Sequence, residues 1–465
     1  MTLPEHAHEI ADAVRTGAVS AREVTRAALE RIAARNPALN AFVYLDAEGA
    51  LAQADAIDAA VAKGDDPGSY AGVPIGVKDL AMAKGMPHTS GSRAFADNVA
   101  KRDSVEVARL RGAGAVILGK TNTPEFGYKG FTENQLFGAT GNPWNAALTP
   151  GGSSGGSASA VAAGMVPVCT GSDGGGSIRI PASFCGCYGL KPSAGRIPLA
   201  NDSYPTWSTH STVGPISRSV RDAARYLDIA AGPHPDDLTS LDAPGGGYET
   251  AVLGAPPALR RIAWSKDLGY ATVDPDVARL AEAAARRLAF ALGAELVEAS
   301  PGFEEPIFTW LVIGAPGDIV LVDAMTDAQR EVLEPGFRAF TELARDFTAA
   351  QYATALQERH ALNRTVNAFL ADYDLLLTPT VAAPPFPKEG PPPTVIAGKE
   401  VGGAGFIPFT YPFNLTGHPG ASVPAGRDSS GMPVGLQIIG PKFNDRLVLQ
   451  ASAVYESLGA WEWPA

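Results

Sequence analysis

The stretch of sequence that decides the fold runs over residues 150–179 and reads PGGSSGGSASAVAAGMVPVCTGSDGGGSIR. It contains two glycine- and serine-rich segments, 150–157 and 171–179, and residues 158–169 between them predict a helix followed by a strand. Glycines before a helix let consecutive backbone N–H groups converge on one point, where the helix dipole favours negative charge. The stretch therefore predicts a loop that holds an anion, either a bound phosphate or the oxyanion of an attacked acyl carbon.

Three other interpretations of the two segments can be weighed on the sequence. A flexible Gly/Ser linker fits poorly, because each segment is short and is flanked by apolar sequence. A Walker-type phosphate loop would close on Gly-Lys-Ser/Thr, which neither segment contains. Residues 151–155 formally match the G-x-S-x-G nucleophile elbow, but residues 142–150 look like a loop and not the strand that an elbow follows. His360 and His418 are the candidate bases for such a Ser-His site.

Outside this stretch, short apolar runs alternate with helical patterns along the chain. Strands are predicted at 41–45, 72–78, 115–118, 166–169, 262–264, 295–298, 374–377, 421–423 and 434–439. Helices are predicted at 48–63, 104–111, 158–165, 275–292 and 444–457, and a further helix opens at the Ser20/Glu23 capping box and ends at Asn36-Pro37. This alternation is typical of an α/β fold with a mixed central β-sheet covered by helices on both faces.

No clean boundary divides the chain, so a single domain over residues 1–465 is predicted. Within it we distinguish an N-terminal helical region (1–70), a core (71–195) and a remainder with variable loops (196–465). The Pro/Gly-rich residues 382–393 predict a surface loop and not a linker, because strand-like sequence resumes after them.

Composition narrows the classes of function. The 465 residues carry a net charge of −12 with a pI near 5.1, and no Lys/Arg-rich run marks a nucleic-acid binder. The least polar stretch, 158–169, is shorter than the ~20 residues of a membrane helix, and the N-terminus has no secretory pattern. Three cysteines at 169, 185 and 187 suit neither a disulfide framework nor a zinc site. A cytoplasmic protein without metal, cofactor, membrane or nucleic-acid partner is expected, and a homodimer is compatible with the sequence.

The glycine-rich segments and several other motifs resemble one known family. The block 151–182, with Gly186 and residues 189–192 after it, looks like the amidase signature, and GVPIGVKD at 72–79 looks like the lysine motif of the same family. Further matching landmarks are residues 112–122, 142–143, 375–379 and 433–440. The resemblance covers most of the chain and implies a single α/β domain that hydrolyses amide bonds through an acylated serine.

The resemblance also implies a role for individual residues. Ser177 falls where the family keeps its acylated nucleophile, Ser153 falls on the bridging serine that follows a cis peptide bond, and Lys78 falls on the general base. The backbone N–H groups of the run 174–177 (Gly174, Gly175, Gly176 and Ser177) fall on the oxyanion hole.

The chemistry of such a site can be argued from the residue types. A serine hydroxyl is a weak nucleophile unless a base takes its proton, and lysine is a base only when neutral. Burial lowers the pKa of a lysine, and Lys78 ends an apolar strand that suits burial. Alternation along the strand sends the carboxylate of Asp79 to the opposite face. Ser153 then relays the proton and later returns it to the leaving nitrogen.

The polar neighbours of the nucleophile are predicted to support the site. Asp173 and Arg179 are interpreted as a buried ion pair that fixes the loop, in preference to a direct catalytic role. Ser154 and Ser157 are expected to hydrogen-bond around the catalytic groups. Tyr128, Phe131, Trp207 and Phe409 are candidates for the substrate pocket, and core packing explains them equally well.

Two departures from the family pattern bear on substrate. Glycine stands at 174, where the family most often has threonine, so the oxyanion side is expected to be roomier or more mobile. Isoleucine stands at 180, where the tRNA-dependent transamidating subunit typically has glutamine. We therefore expect a free-standing hydrolase of small acyl or aryl amides, with esters and carbamates as further substrates. The alternative is an amidotransferase-type subunit that supplies ammonia within a multi-protein complex.

Overall fold

One sheet of eleven strands forms the centre of the protein. The computed structural model describes residues 3–200, 207, 209–459 and 461–464. In space the strand order is β1-β3-β2-β4-β6-β5-β12-β13-β9-β7-β8. The strands are β1 (Phe42–Leu45), β2 (Pro74–Lys78), β3 (Val116–Thr121), β4 (Val168–Asp173), β5 (Tyr188–Lys191), β6 (Thr212–Ser217), β7 (Arg261–Trp264), β8 (Glu295–Glu298), β9 (Leu375–Pro379), β12 (Gly420–Arg427) and β13 (Pro433–Ile439), while β10 (Val395–Ile396) and β11 (Lys399–Glu400) form a separate hairpin.

Helices connect these strands. They are α1 (Ala7–Arg15), α2 (Ala21–Leu39), α3 (Ala47–Lys63), α4 (Val105–Gly112), α5 (Gly155–Ala162), α6 (Arg179–Cys185), α7 (Val220–Ala230), α8 (Tyr248–Leu253), α9 (Pro275–Ala291), α10 (Ile307–Gly314), α11 (Pro316–Asp323), α12 (Asp327–Glu331), α13 (Pro335–Arg345), α14 (Ala349–Asp372), α15 (Tyr411–Thr416) and α16 (Asp445–Ser457). Short 3₁₀ turns lie at Arg93–Phe95 and Glu125–Gly127. Among the helices of the described ranges, none combines the length and apolar character that crossing a bilayer requires.

The sheet is mixed and buried on both faces. β2 runs parallel to β3 and β4, and β7 runs parallel to β8 and β9, while the other neighbours are antiparallel. Along β9, Leu375 and Leu377 belong to one apolar cluster and Leu376 to another. Successive strand residues face opposite sides, so the two clusters lie on opposite faces of the sheet. The predicted mixed sheet with helices on both faces is confirmed.

The strands of this sheet come from all three predicted regions of the chain, and every predicted strand is present near its predicted position. The sequence patterns do not predict β5 and β6, and β6 contains Gly214 and Pro215, which are uncommon inside strands.

The prediction that Asn36-Pro37 ends the first long helix is wrong. α2 continues to Leu39 and stops where Asn40 adopts a left-handed conformation, because a proline in the last turn forfeits only one backbone hydrogen bond.

The register of the sheet brings the two glycine-serine segments and the lysine motif to one edge. Since β2 and β4 are parallel neighbours, their carboxyl ends meet there. Lys78 is the last residue of β2 and Asp173 is the last residue of β4. The second segment leaves that edge as the loop 174–178 and enters α6, and the first segment enters α5 at Gly155.

Candidate active site

Lys78 is buried at the end of β2, and its ammonium group contacts two serine hydroxyls. Nζ lies 2.8 Å from Ser153 Oγ and 2.9 Å from Ser172 Oγ. Burial lowers the pKa of Lys78 to about 7, and the nearby carboxylate of Asp173 opposes this shift without cancelling it. Half of the side chains are therefore neutral near pH 7, the form that accepts a proton.

Asp79, the next residue, is directed away from this group. Its carboxylate forms a buried ion pair with Lys120, with 3.1 Å between Nζ and Oδ1, and accepts a hydrogen bond from the hydroxyl of Thr89. The predicted alternation therefore places Lys78 and Asp79 in separate networks. As a result, the carboxylate nearest in sequence does not pair with the lysine at the site.

Ser153 lies in the first glycine-serine segment, and the peptide bond between Gly152 and Ser153 is cis, as the resemblance implies. The neighbouring Ser154 joins the two segments. Its backbone N–H donates to the carbonyl of Ser177 at 3.2 Å, and its hydroxyl lies 3.3 Å from both the carbonyl and the amide of Ser172. Ser154 thus holds the loop of Ser153 against the loop of Ser177.

Two further serines differ from the prediction in opposite ways. The predicted site does not include Ser172, although this residue lies in the second glycine-serine segment, directly before Asp173. Its hydroxyl is the second partner of Lys78. Ser157 instead donates to the carbonyl of Thr170 and contacts the hydroxyl of Thr121 inside the sheet. Sequence spacing alone does not distinguish these two serines, because β4 presents residue 172 to the site only through its register with β2.

Asp173 and Arg179 form a fully buried ion pair, with 2.8 Å between Nη2 and Oδ1. Burial favours the neutral acid, but the guanidinium of Arg179 outweighs that effect and holds the pKa of Asp173 well below its usual range. Arg179 also donates to the Gln437 and Asn414 side chains and to the Thr410 carbonyl, at 2.8, 2.6 and 2.9 Å. Because neither charged group contacts Lys78 or Ser153, this geometry favours the interpretation of a pair that fixes the loop.

The backbone of the loop 174–177 is constrained residue by residue. The N–H of Gly176 donates to Asp173 Oδ1 at 2.7 Å, so it is already engaged and is not directed at a substrate. This differs from the expectation that Gly176 contributes to the oxyanion hole. Within the described part of the chain, the amides of Gly174, Gly175 and Ser177 have no such acceptor. Gly176 has a φ of 132°, a conformation that favours glycine.

Ser153, Ser172, Gly174, Gly175 and Ser177 all line one cavity of about 750 Å³. Ser153 is buried within its wall, and Ser177 is partly exposed to it. A cavity of this size holds a small organic molecule. Two of the three predicted catalytic residues, Ser153 and Ser177, thus line one cavity of this size, and Lys78 lies behind Ser153 in contact with its hydroxyl.

Comparison with known proteins identifies the family of this chain. The amidase family model matches residues 23–449. The chain belongs to the amidase family. Among curated relatives, an acylamidase of Rhodococcus erythropolis is 40% identical over 98% of this chain and 95% of the relative. A Glutamyl-tRNA(Gln) amidotransferase subunit of Synechococcus sp. (strain RCC307) is 38% identical over 96% of this chain and 95% of the relative. The crystal structure of a bacterial aryl acylamidase of the amidase signature family superposes with a TM-score of 0.91 at 32% identity, covering 98% of this chain and 96% of that one.

The walls of the cavity in this amidase consist mainly of aromatic and aliphatic side chains. The aromatic residues are Phe95, Phe126, Tyr128, Phe131, Trp207, Trp310, Phe340 and Phe406. Three of the four aromatic candidates from the sequence, Tyr128, Phe131 and Trp207, line it. Phe409 does not, because it is fully buried in the apolar core that contains Leu376 and Ile439.

The carboxyl and ammonium groups at the cavity wall, among the lining residues that the structure describes, belong to Glu106 and Lys129. Lys129 Nζ is paired with Glu133 at 2.6 Å and Glu334 at 2.5 Å. Burial raises the pKa of Glu106 to about 8, although a hydrogen bond with Tyr226 opposes the shift. At the cavity wall, Lys129 is therefore paired with two carboxylates, and burial keeps the carboxyl group of Glu106 mostly protonated near neutral pH.

The alternative bases lie elsewhere in this amidase. His360 is exposed on α14, and His418 hydrogen-bonds Thr416 and Asn367, which do not line the cavity. The three cysteines are free and buried, and Cys185 Sγ lies 3.5 Å from the carbonyl of Pro150. In the described ranges, no cluster of His, Cys, Asp and Glu is arranged to hold a metal ion. Neither His360 nor His418, the two candidate bases of a Ser-His site, therefore lines the cavity that contains Ser153.

Proposed function

We propose that this amidase hydrolyses the C–N bond of small acyl and aryl amides to a carboxylate and an amine or ammonia, through an acyl-Ser177 intermediate. The observation that carries the proposal is the 2.8 Å contact between the buried Lys78 amine and Ser153 Oγ at the wall of the cavity that also contains Ser177. The acylamidase and aryl acylamidase relatives support the same chemistry.

In the acylation step, Ser177 Oγ attacks the carbonyl carbon of the amide and its proton passes to Ser153. Ser153 gives its own proton to neutral Lys78, so the tetrahedral intermediate carries the negative charge and Lys78 becomes ammonium. The backbone N–H groups of Gly174, Gly175 and Ser177 are the proposed donors to that oxyanion. Collapse breaks the C–N bond, and the proton returns through Ser153 to the leaving nitrogen.

Deacylation repeats the same proton transfers with water. Lys78, through Ser153, takes a proton from the attacking water molecule. The second tetrahedral intermediate then releases a carboxylic acid as Ser177 regains its proton, and the acid loses its remaining proton to solvent to become the carboxylate. Each step balances without a metal or cofactor. Esters and carbamates fit the same sequence, because an alkoxide leaves more readily than an amide anion.

Replacement of the nucleophile tests the covalent step. Ser177→Ala should abolish formation of a covalent adduct with an organophosphonate probe, followed by intact-protein mass spectrometry. Ser157→Ala, which removes a hydroxyl that faces the sheet, is the matched control and should be labelled like the native chain. Full labelling of the Ser177→Ala chain would contradict the assignment of the nucleophile.

Replacement of the base tests the proton path. Lys78→Ala should reduce kcat for an anilide more than kcat for an ester of the same acyl group, because an amine must be protonated before it leaves. Loss of general acid–base catalysis typically costs about 10²–10⁴-fold. Equal loss for anilide and ester would contradict the role of Lys78 in protonating the leaving group.

A second candidate function is an amidotransferase-type subunit that supplies ammonia within a complex. An amidotransferase subunit that is 38% identical over 96% of this chain supports this second function. Size-exclusion chromatography of the purified chain, with an amide hydrolysis assay on each fraction, distinguishes the two. Turnover by the chain alone, as a monomer or a homodimer, supports the free-standing hydrolase. Inactive fractions that a partner activates would favour the complex.

The free cysteines and the net charge of the chain bear on its compartment and its partners. The three cysteines are free thiols, which is typical of a reducing cytoplasm. The net charge of −12 disfavours binding to the phosphate backbone of nucleic acids. We therefore infer a cytoplasmic enzyme whose principal partner is its small-molecule amide substrate.

A further inference from the structure

Trp310 of α10 reaches the glycine loop that follows β4. Its indole Nε1 donates a hydrogen bond to the carbonyl oxygen of Gly174 at 2.8 Å. The same side chain lines the substrate cavity, so it contacts both the loop and the space that the substrate occupies.

The hydrogen bond acts on the amide of the next residue. In a trans peptide unit, the carbonyl of Gly174 and the N–H of Gly175 lie in one plane and point in opposite directions. Anchoring the carbonyl therefore fixes the direction of the Gly175 N–H. It also polarises that N–H, because hydrogen bonds along one peptide unit strengthen each other.

The indole ring also restricts the position of Gly175. A Cβ atom at residue 175 would lie 2.4 Å from Cζ2 of Trp310, closer than real Cβ contacts allow. The following peptide unit is fixed separately, since Thr410 Oγ1 donates to the Gly175 carbonyl at 2.6 Å and the Gly176 N–H donates to Asp173.

Gly174 has no side chain that could pack against the residues around the loop. A Cβ atom there would have its nearest neighbours, Ser211 and Trp207, at 3.8 Å. Trp310, in contrast, is held on two sides by rings, with centroid distances of 4.6 Å to Trp207 and 5.5 Å to Tyr411. At this point the loop is therefore held by Trp310, which lies 136 residues after Gly174 in sequence.

We propose that Trp310 is a positioning residue of the oxyanion hole, which holds the peptide unit between Gly174 and Gly175 so that the Gly175 N–H faces the developing oxyanion. The inference rests on the proposed function, because it requires an oxyanion at this loop. Its contribution is made in the transition state and not in substrate binding. Loss of the indole N–H should therefore lower kcat and leave KM unchanged.

Two replacements remove the donor. Trp310→Phe keeps an aromatic ring, and replacement of Trp310 with 3-benzothienylalanine keeps the full indole shape without the N–H. Each should lower kcat for an anilide roughly tenfold, the size of one hydrogen bond, with KM within about twofold of the native value. The second replacement preserves packing, so the test does not depend on the Phe variant folding.

The affinity for a trifluoromethyl ketone is a second measurement, and replacement of a residue with only a structural role would not change it. Ser177 Oγ adds to the ketone carbon while its proton passes through Ser153 to Lys78, and the product is an anionic hemiketal that resembles the tetrahedral intermediate. The affinity for the ketone should therefore fall by the same factor as kcat. Trp144→Phe is the matched control, because Trp144 Nε1 also donates to a backbone carbonyl, that of Cys185 at 2.9 Å, outside the cavity. Its kinetics should stay native.

The outcomes separate this inference from the proposed function. If the native chain hydrolyses amides and both Trp310 replacements raise KM without lowering kcat, Trp310 is a pocket wall only and the positioning role is wrong. Native kcat, or unchanged affinity for the trifluoromethyl ketone, would also overturn it. If the native chain forms no adduct at Ser177 and cleaves no amide, the proposed function itself fails.

Discussion

At the scale of the residue, the proposed chemistry depends on a lysine that burial keeps partly neutral. Lys78 is fully buried, and its Nζ is surrounded by hydroxyl groups instead of carboxylates. The charge that would most directly restore its ordinary pKa, that of Asp79, is neutralised by Lys120. The pKa of about 7 therefore results from the burial of Lys78, which the nearby carboxylate of Asp173 offsets only in part.

This pKa predicts a pH dependence. Because only neutral Lys78 accepts a proton, kcat/KM for an anilide should rise with pH, reach half of its maximum near pH 7 and then level off. Below pH 6 it should fall about tenfold per pH unit. A pH–rate profile measured with a neutral substrate checks this. A flat profile between pH 5 and pH 8 would show that Lys78 does not act as the base.

At the scale of the element, Arg179 connects four parts of the fold. As the first residue of α6, it binds the end of β4 through Asp173, α15 through Asn414, β13 through Gln437 and the carbonyl of Thr410. Removing one partner of a buried ion pair leaves the other charge uncompensated, which typically costs about 3–5 kcal/mol. The carboxylate of Asp173 also fixes the Gly176 amide, so the loss should reach the glycine loop.

Arg179→Met should therefore lower both stability and kcat, while Arg196→Met should lower stability alone. Arg196 is the matched control because it forms a similarly buried pair with Asp445, at 3.0 Å, away from the glycine loop. Urea unfolding measures the stability of both variants, and kcat is measured at a temperature where both are folded. Arg179→Lys, which keeps the charge but loses the bidentate contact, should be intermediate. Native kcat in folded Arg179→Met would contradict the link from ion pair to loop.

At the scale of the whole molecule, the cavity is assembled from parts of the chain that lie far apart in sequence. Phe126 and Phe131 come from the segment after β3, Trp310 comes from α10, and Phe406 precedes α15. Their rings form a wall in which Lys129 is already paired with two carboxylates. Transfer of an apolar ring from water to such a wall lowers the free energy, whereas transfer of an unpaired charge raises it.

We therefore predict that kcat/KM for an aryl amide exceeds kcat/KM for L-glutamine by at least about 100-fold. Burying an unpaired charged group costs several kcal/mol, and each 1.4 kcal/mol is a factor of ten. Parallel assays with a naphthyl amide, an aliphatic amide and L-glutamine test this. Comparable kcat/KM for glutamine would contradict the apolar interpretation of the cavity and favour the amidotransferase-type function.

The sequence by itself determined the α/β class and the strands β2 and β4, and it predicted the three side chains of the candidate site. Apolar runs, glycine-rich segments and capping residues are local signals, and the family resemblance places Lys78, Ser153 and Ser177 by motif. Those signals also separated Lys78 from Asp79, since alternation along a strand is a local property.

Only the tertiary structure decided the partners of these residues. Ser172, rather than Ser157, meets Lys78 because of the register between β2 and β4. The Gly176 amide donates to the carboxylate of Asp173. Trp310 reaches the loop from another region of the chain, whereas Phe409 packs in the core. The physical reason is that hydrogen bonding and burial depend on distances between segments far apart in sequence, which local patterns do not specify.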